Sequence, residues 1–126
     1  MSKITIEPDC GNSPRKLFLK DLLMAFANGD LEFVTENISE DVRWEISGNK
    51  TITGKENYLK ELVRQKLWKV KGLVVDKIIT HGADASVSGQ ITIAGKTKLH
   101  FCDIYGFKGA GTNTLKSIRS FIVKHE

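Results

Sequence analysis

The stretch Phe101-Cys-Asp-Ile-Tyr-Gly-Phe107 decides the fold of this 126-residue chain. Its aromatic residues Phe101 and Tyr105 stand at alternate positions, with Asp103 between them. Because successive side chains of a β-strand point to opposite faces, these three residues share one face of a predicted strand. A carboxylate on an otherwise aromatic face is withdrawn from water, so Asp103 is the first candidate for a functional residue.

The segments around this stretch continue the same pattern through the C-terminal half. From Val70 onward no helical period survives, and β-branched residues recur in runs separated by Gly, Asp or Asn. Runs of this kind, close together in sequence, are typical of strands joined by short turns. The sequence therefore predicts a long antiparallel meander with strands at 72–81, 85–93, 97–107 and 114–124.

The N-terminal half begins with a helix signal. Ser13 is a suitable N-cap, and Pro14 fits the first helical position, where its missing N–H has no consequence. Gly29 provides a left-handed stop, so a helix is predicted over 14–28. Apolar residues at spacings of three and four give that helix one buried stripe, formed by Phe18, Leu19, Leu22, Leu23 and Phe26.

A second short helix is predicted to follow its N-cap Asp30 and to end near Glu36. Val42–Ile46 then alternates apolar and polar residues, as a half-buried strand does. Thr53 and Glu56 have the spacing of a capping box, which predicts a third helix over 54–67. That helix is predicted to bury Tyr58, Leu59, Leu62 and Val63 and to turn Glu61, Arg64 and Gln65 toward water.

Together these elements predict an α+β domain in the order α-α-β-α-β-β-β-β. A curved antiparallel, or mixed, sheet wraps around the three N-terminal helices to form a cone, which leaves a cavity at its open end. We expect one domain over residues 1–126, in which 1–12 is an N-terminal arm.

Composition and charge exclude several classes of function. The net charge is +4, but the lysines are dispersed among acidic residues, so nucleic-acid binding is not expected. No stretch has the length and apolarity of a membrane span, and the N-terminus lacks the apolar core of a signal peptide, so we expect a cytoplasmic protein. The two cysteines form no CxxC motif, and no histidine has metal-ligand spacing. Neither a metal nor a cofactor is expected.

Four short motifs together resemble the nuclear transport factor 2-like superfamily, and within it the SnoaL-like and ketosteroid isomerase branch. They are Ala27-Asn-Gly-Asp30, Gly54 at the start of the third helix, Cys102–Phe107, and the Ile-Arg-Ser-Phe of the last strand. The resemblance covers about residues 14–124. This fold hosts isomerases, dehydratases, polyketide cyclases, epoxide hydrolases, binding proteins and noncatalytic adaptors, so it implies no single activity.

The resemblance also implies which positions to inspect. Ketosteroid isomerases use an Asp general base, a Tyr donor and a second, protonated Asp donor. Asp103 matches the protonated Asp. The position of the Tyr donor falls on Leu22, and that of the general base falls on Ile46, whereas Glu45 points to the opposite face. Steroid isomerisation is therefore not expected.

Asp103 could act as acid, base or neutral donor, or it could simply be hydrogen-bonded within the fold. The hydroxyls of Tyr58 and Tyr105 could complement it. Ordinary core packing is the alternative for each aromatic residue. The residues expected to line a ligand pocket are Trp44, Ile46, Tyr58, Leu62, Trp68, Phe101 and Tyr105.

Two functions follow from these observations. The first is a protein that binds a small hydrophobic molecule in an apolar pocket anchored by Asp103, with acid/base chemistry of the isomerase, cyclase or hydrolase type. The second is a noncatalytic dimeric interaction or accessory domain. A homodimer is expected because an apolar convex sheet face needs cover, although the arm with Ile4 and Ile6 could provide it. The residues predicted on that face are His100, Cys102, Ile104, Arg119 and Phe121.

Overall fold

The computed structural model describes residues 3–6, 13–65, 70–93 and 97–124. Its helices are α1 (Pro14–Asn28), α2 (Leu31–Glu36) and α3 (Lys55–Gln65). Its strands are β1 (Lys3–Ile6), β2 (Ile38–Ile46), β3 (Lys50–Thr53), β4 (Val70–His81), β5 (Asp84–Ile93), β6 (Thr97–Phe107) and β7 (Leu115–Lys124). All of these strands belong to one sheet in the order β1-β4-β5-β6-β7-β2-β3.

The sheet is mixed. Antiparallel pairing joins β4 to β5, β5 to β6, β6 to β7, and β2 to β3. Parallel pairing joins β2 to β7 and β1 to β4. The predicted α+β class and the order of its main elements are confirmed, and the predicted meander is β4 to β7.

Two short strands were not predicted from the sequence. β1 consists of residues 3–6 of the predicted arm and pairs with β4 at one edge of the sheet. β3 follows the turn at Gly48, whose φ of 76° lies in the left-handed region that glycine adopts readily, and forms the other edge. Each has only four residues, too few for an alternating pattern to be distinguished from a loop.

The ends of α1 follow the sequence signals. The Ser13 hydroxyl accepts a hydrogen bond from the backbone N–H of Lys16, and Gly29 adopts the left-handed conformation with φ of 75°. Both predicted bounds are confirmed. The first buried layer of the core comes from the inward stripe of this helix, formed by Leu19, Leu22 and Leu23.

The predicted orientation of α3 was wrong at two positions. Val63 is 48% exposed although it was expected in the core, and Glu61 is only 8% exposed although it was expected in water. Lys50 Nζ lies 3.1 Å and Arg64 Nη2 2.6 Å from the Glu61 carboxylate. Since Lys50 belongs to the unpredicted strand β3, the sequence pattern of α3 alone could not reveal this pairing. Residues 66 and 67 of the predicted helix lie outside the described residues.

The core fills the space between the helices and the inner face of the sheet. Along β2, β4, β5, β6 and β7 the buried residues mostly stand at alternate positions between half-buried or exposed ones, as one-sided burial requires, with an exception at Tyr105–Phe107, where three consecutive residues are buried. The side chain of Arg15 fixes the β6–β7 loop to the start of α1, because its Nη2 donates to the carbonyl oxygens of Gly109 at 3.2 Å and Ala110 at 2.8 Å. Its guanidinium also stacks on the ring of Phe107 at 3.7 Å. Phe107 itself is fully buried.

Candidate functional site

A cavity of about 60 Å³ lies between the helices and the inner face of the sheet. It is larger than the roughly 10–15 Å³ that one water needs, so it is more than a packing defect. Side chains from all three helices and from β2, β4, β5, β6 and β7 line it, and most of them are aliphatic or aromatic. The contribution of α1 is Leu22, Leu23, Phe26 and Ala27.

The polar groups of this cavity are concentrated around Asp103. The Tyr105 hydroxyl donates to Asp103 Oδ2 at 3.0 Å. Ser120 pairs directly with Asp103 across β6 and β7. The indole N–H of Trp44 donates to Ser120 Oγ at 2.9 Å. We call Asp103, Tyr105, Ser120 and Trp44 the Asp103 cluster; three adjacent strands contribute to it.

The environment of Asp103 changes its acidity. Burial raises the pKa of its carboxyl to about 6, while hydrogen bonding by Ser120 and Tyr105 acts in the opposite direction. Burial outweighs the hydroxyl donors because they replace only part of the hydration that an ionised carboxylate has in water. Asp103 therefore changes its charge close to neutral pH, whereas an ordinary aspartate does so near pH 4.

Tyr58 gives the cavity a further hydroxyl. It lies in the first turns of α3, which follow Gly54 with its φ of 97°, and it is 7% exposed. Its ring meets Trp44 edge-on, with 5.0 Å between the ring centroids and 66° between the planes. Burial, and next the charge of Asp103, raises the pKa of Tyr58, and the same two causes raise that of Tyr105. Both phenols therefore remain protonated and able to donate at neutral pH.

Solved structures with the same arrangement of elements share the fold. An NTF-2 like protein of unknown function from Burkholderia xenovorans LB400 is 18% identical, with a TM-score of 0.71 over 90% of this chain and 89% of that chain. A putative isomerase of the SnoaL-like family from Agrobacterium tumefaciens str. C58 is 15% identical, with a TM-score of 0.66 over 88% of this chain and 99% of that one. The chain has the NTF2-like fold.

An LEH-like epoxide hydrolase from M. tuberculosis has the NTF2-like fold as well. It is 17% identical to this chain, with a TM-score of 0.67 over 83% of this chain and 79% of that chain. No protein-family model and no curated protein matches the sequence. The resemblance stated from the sequence motifs is thus confirmed at the level of the NTF2-like fold.

The NTF2-like fold brings most of the predicted pocket residues to one cavity. The lining includes Asp103, Trp44, Tyr58, Phe101 and Tyr105. Two other predicted residues, Ile46 and Leu62, are buried in the core but do not belong to the cavity lining. They lie one step farther along their elements, Ile46 toward the β2–β3 turn and Leu62 one turn beyond Tyr58. Trp68 lies outside the described residues.

One polar member of the site was missed in the sequence. Ser120 is 3% exposed and lies on the inner face of β7 between Ile118 and Ile122, which also line the cavity. Strand alternation could have revealed it, since Arg119 and Phe121 were assigned to the convex face and Ser120 stands between them. At the position expected for a Tyr donor, Leu22 lines the cavity with an aliphatic side chain.

In residues 3–6, 13–65, 70–93 and 97–124, no group of three or more His, Cys, Asp or Glu side chains could hold a metal ion. None of the helices in these segments is long and apolar enough to cross a membrane. Cys102 is a free thiol.

The hydrogen bonds of Ser120 lead to a stability prediction. We expect Ser120→Ala to lower the free energy of unfolding by about 1–3 kcal/mol, because the buried indole N–H of Trp44 loses its acceptor. Ser39→Ala is the matched control: Ser39 is also 3% exposed, and its hydroxyl has no partner within the described residues. Urea unfolding of both variants measures the difference. Equal losses of stability would show that Ser120 has no structural role in the Asp103 cluster.

Proposed function

We propose that this protein binds a small hydrophobic molecule in the cavity, with Asp103 as the polar anchor. The observation that carries the proposal is the contrast between the mostly apolar walls and the polar cluster centred on Asp103. Ligand sites usually have this composition, in which apolar walls provide affinity and a few polar groups fix orientation. The cavity is also larger than one water requires.

The acidity of Asp103 supports acid/base chemistry of the isomerase, cyclase or hydrolase type. A catalytic acid or base works best when its pKa lies near the working pH, and the pKa of Asp103 is about 6. The Tyr58 hydroxyl lines the same cavity and offers a hydrogen-bond donor to a bound substrate. Two proteins of this fold are described as a putative isomerase and an epoxide hydrolase, which is consistent with such chemistry. If the bound molecule is a substrate, Asp103→Asn abolishes turnover while binding largely survives.

A cavity-filling substitution tests the binding proposal. Leu23 lines the cavity at 5% exposure, whereas Leu17 on the same helix is 47% exposed. A small apolar ligand should raise the melting temperature of the wild type and of Leu17→Phe. Leu23→Phe should lose this response, because the larger ring occupies the space of the ligand.

The ligands to be screened are steroids, terpenoids, aromatic polyketides and small aromatic compounds. The melting temperature of each variant is measured with and without each compound. Circular dichroism confirms that both phenylalanine variants are folded before ligands are added. An unchanged melting temperature of the wild type with every class of compound contradicts the binding proposal. An equal response of Leu23→Phe and Leu17→Phe places binding outside the cavity and also contradicts it.

The outer face of the sheet favours a second function, a noncatalytic interaction domain that forms a homodimer. Large apolar side chains on this face are exposed, among them Ile79 at 55%, Ile104 at 42% and Phe121 at 39%. The described part of the predicted arm, β1, extends the edge of the sheet beside β4. Glu45 Oε2 and Arg119 Nε are 3.6 Å apart on the same face, so two copies could meet with opposite charges available on both sides.

The dimer is tested by placing a charge in this face. We expect the wild type to sediment as a dimer and Phe121→Lys as a monomer, because a lysine without a partner is costly to bury in an apolar interface. Leu17→Lys introduces the same residue on an exposed site of α1 and should leave the dimer intact. A monomeric wild type in sedimentation equilibrium, or a dimeric Phe121→Lys variant, would contradict this proposal.

A further inference from the structure

Two carboxylates of the described residues, the buried Glu61 and the half-buried Asp103, have different partners. Glu61 is flanked by two cations, with Lys50 Nζ at 3.1 Å and Arg64 Nη2 at 2.6 Å. Asp103 takes part in none of the ion pairs of the described residues. Its partners are the hydroxyls of Tyr105 and Ser120. Carboxylates withdrawn from water are normally paired with a cation. Glu61 has two such cations, whereas Asp103 has none among the described residues.

The described walls of the cavity supply no cation either. Among the described residues that line it there is no lysine, arginine or histidine. The Trp44 indole donates to Ser120 Oγ, which leaves the single hydroxyl proton of Ser120 available for Asp103. The donors of the cluster are thus directed toward the carboxylate, an arrangement that favours its negative form. Among the described residues, the cavity therefore combines mostly apolar walls with a carboxylate that no cation pairs.

We infer that the cavity selects a small hydrophobic amine, whose ammonium group pairs with Asp103 while its apolar body contacts the walls. This inference rests on the proposed ligand-binding function and adds the class of ligand. An ammonium group has donors that the carboxylate can accept, and its charge replaces the missing cation. The rings of Trp44 and Tyr58 line the same cavity and can attract a cation through their faces. A hydrophobic carboxylate would be repelled, and a neutral compound would gain contacts with the walls alone.

Among the described residues that line the cavity, Asp103 is the group whose charge changes between pH 5 and 8. Tyr58 from α3 and Tyr105 from β6 have raised pKa values and stay neutral in this range. Ser120 from β7 and Trp44 from β2 do not titrate there. The described lining from α1, α2, β4 and β5 is entirely apolar. With a pKa of about 6, Asp103 is almost fully ionised at pH 8 and mostly protonated at pH 5.

Benzylamine, benzyl alcohol and benzoate test the inference, because they share one ring and differ in charge. Binding is followed by NMR titration of the protein at pH 8 and pH 5. At pH 8 benzylamine should bind more tightly than benzyl alcohol, and benzoate most weakly. At pH 5 the affinity for benzylamine should fall about tenfold, because only about a tenth of Asp103 is then ionised. The affinity for benzyl alcohol should stay constant.

Two carboxylate variants assign the preference to a residue. Asp103→Asn should abolish the advantage of benzylamine over benzyl alcohol while both compounds still bind. Asp76→Asn is the matched control, since Asp76 also accepts a hydrogen bond from a serine, Ser88 Oγ at 2.7 Å, but lies exposed outside the cavity. It should keep the full preference.

Three results would overturn the inference. Benzyl alcohol or benzoate binding as tightly as benzylamine at pH 8 refutes the amine class but leaves the binding pocket in place. A preference for benzylamine that survives in Asp103→Asn also refutes it, because the charge of Asp103 is then not its cause. Failure of all three compounds to perturb the lining residues refutes both this inference and the proposed function.

Discussion

The antiparallel pairing of β6 with β7 is the constraint on which the site depends. It sets Asp103 directly beside Ser120, and the neighbouring parallel pairing of β2 with β7 brings the Trp44 indole within 2.9 Å of the same serine. Because side chains alternate along each strand, a shift of one residue in this register would move Asp103 to the outer face of the sheet. Sheet register, rather than any single side chain, therefore holds the carboxylate inside the cavity.

Holding the ionised Asp103 carboxylate in this position, with no cation paired to it among the described residues, reduces the stability of the protein. The pKa of Asp103 in the folded protein, about 6, is higher than its ordinary value of 3.8. The folded state consequently binds the proton more tightly than the unfolded chain does, so this contribution to stability is present below about pH 4 and is lost as the pH rises through about 6. Glu61, by contrast, lies within ion-pair distance of Lys50 and Arg64. This contrast between the two carboxylates is the reason for proposing a ligand-binding role for Asp103.

Much of this architecture could be predicted from the sequence because it depends on local signals. The bounds of α1 follow from Ser13, Pro14 and Gly29, and the strand at 97–107 follows from its alternating residues. The inward orientation of Asp103 follows from the same alternation.

Other features could not be predicted from the sequence. The edge strands β1 and β3 have only four residues each, too few for an alternating pattern of apolar and polar residues to be recognised. The burial of Glu61 depends on Lys50 of a distant strand, and the polar contacts of Ser120 depend on the pairing of three strands. Contacts between segments that are distant in the sequence cannot be predicted from the residue pattern of one segment.

The central claim is that Asp103 lies half-buried in a mostly apolar cavity, with no cation paired to it among the described residues. The most direct measurement is an NMR titration of its carboxyl carbon in ¹³C-labelled protein, assigned by comparison with the Asp103→Asn variant. The structure predicts a midpoint near pH 6. A midpoint at or below pH 4 would contradict the account, because it would mean that the carboxylate is either hydrated or already paired with a positive charge.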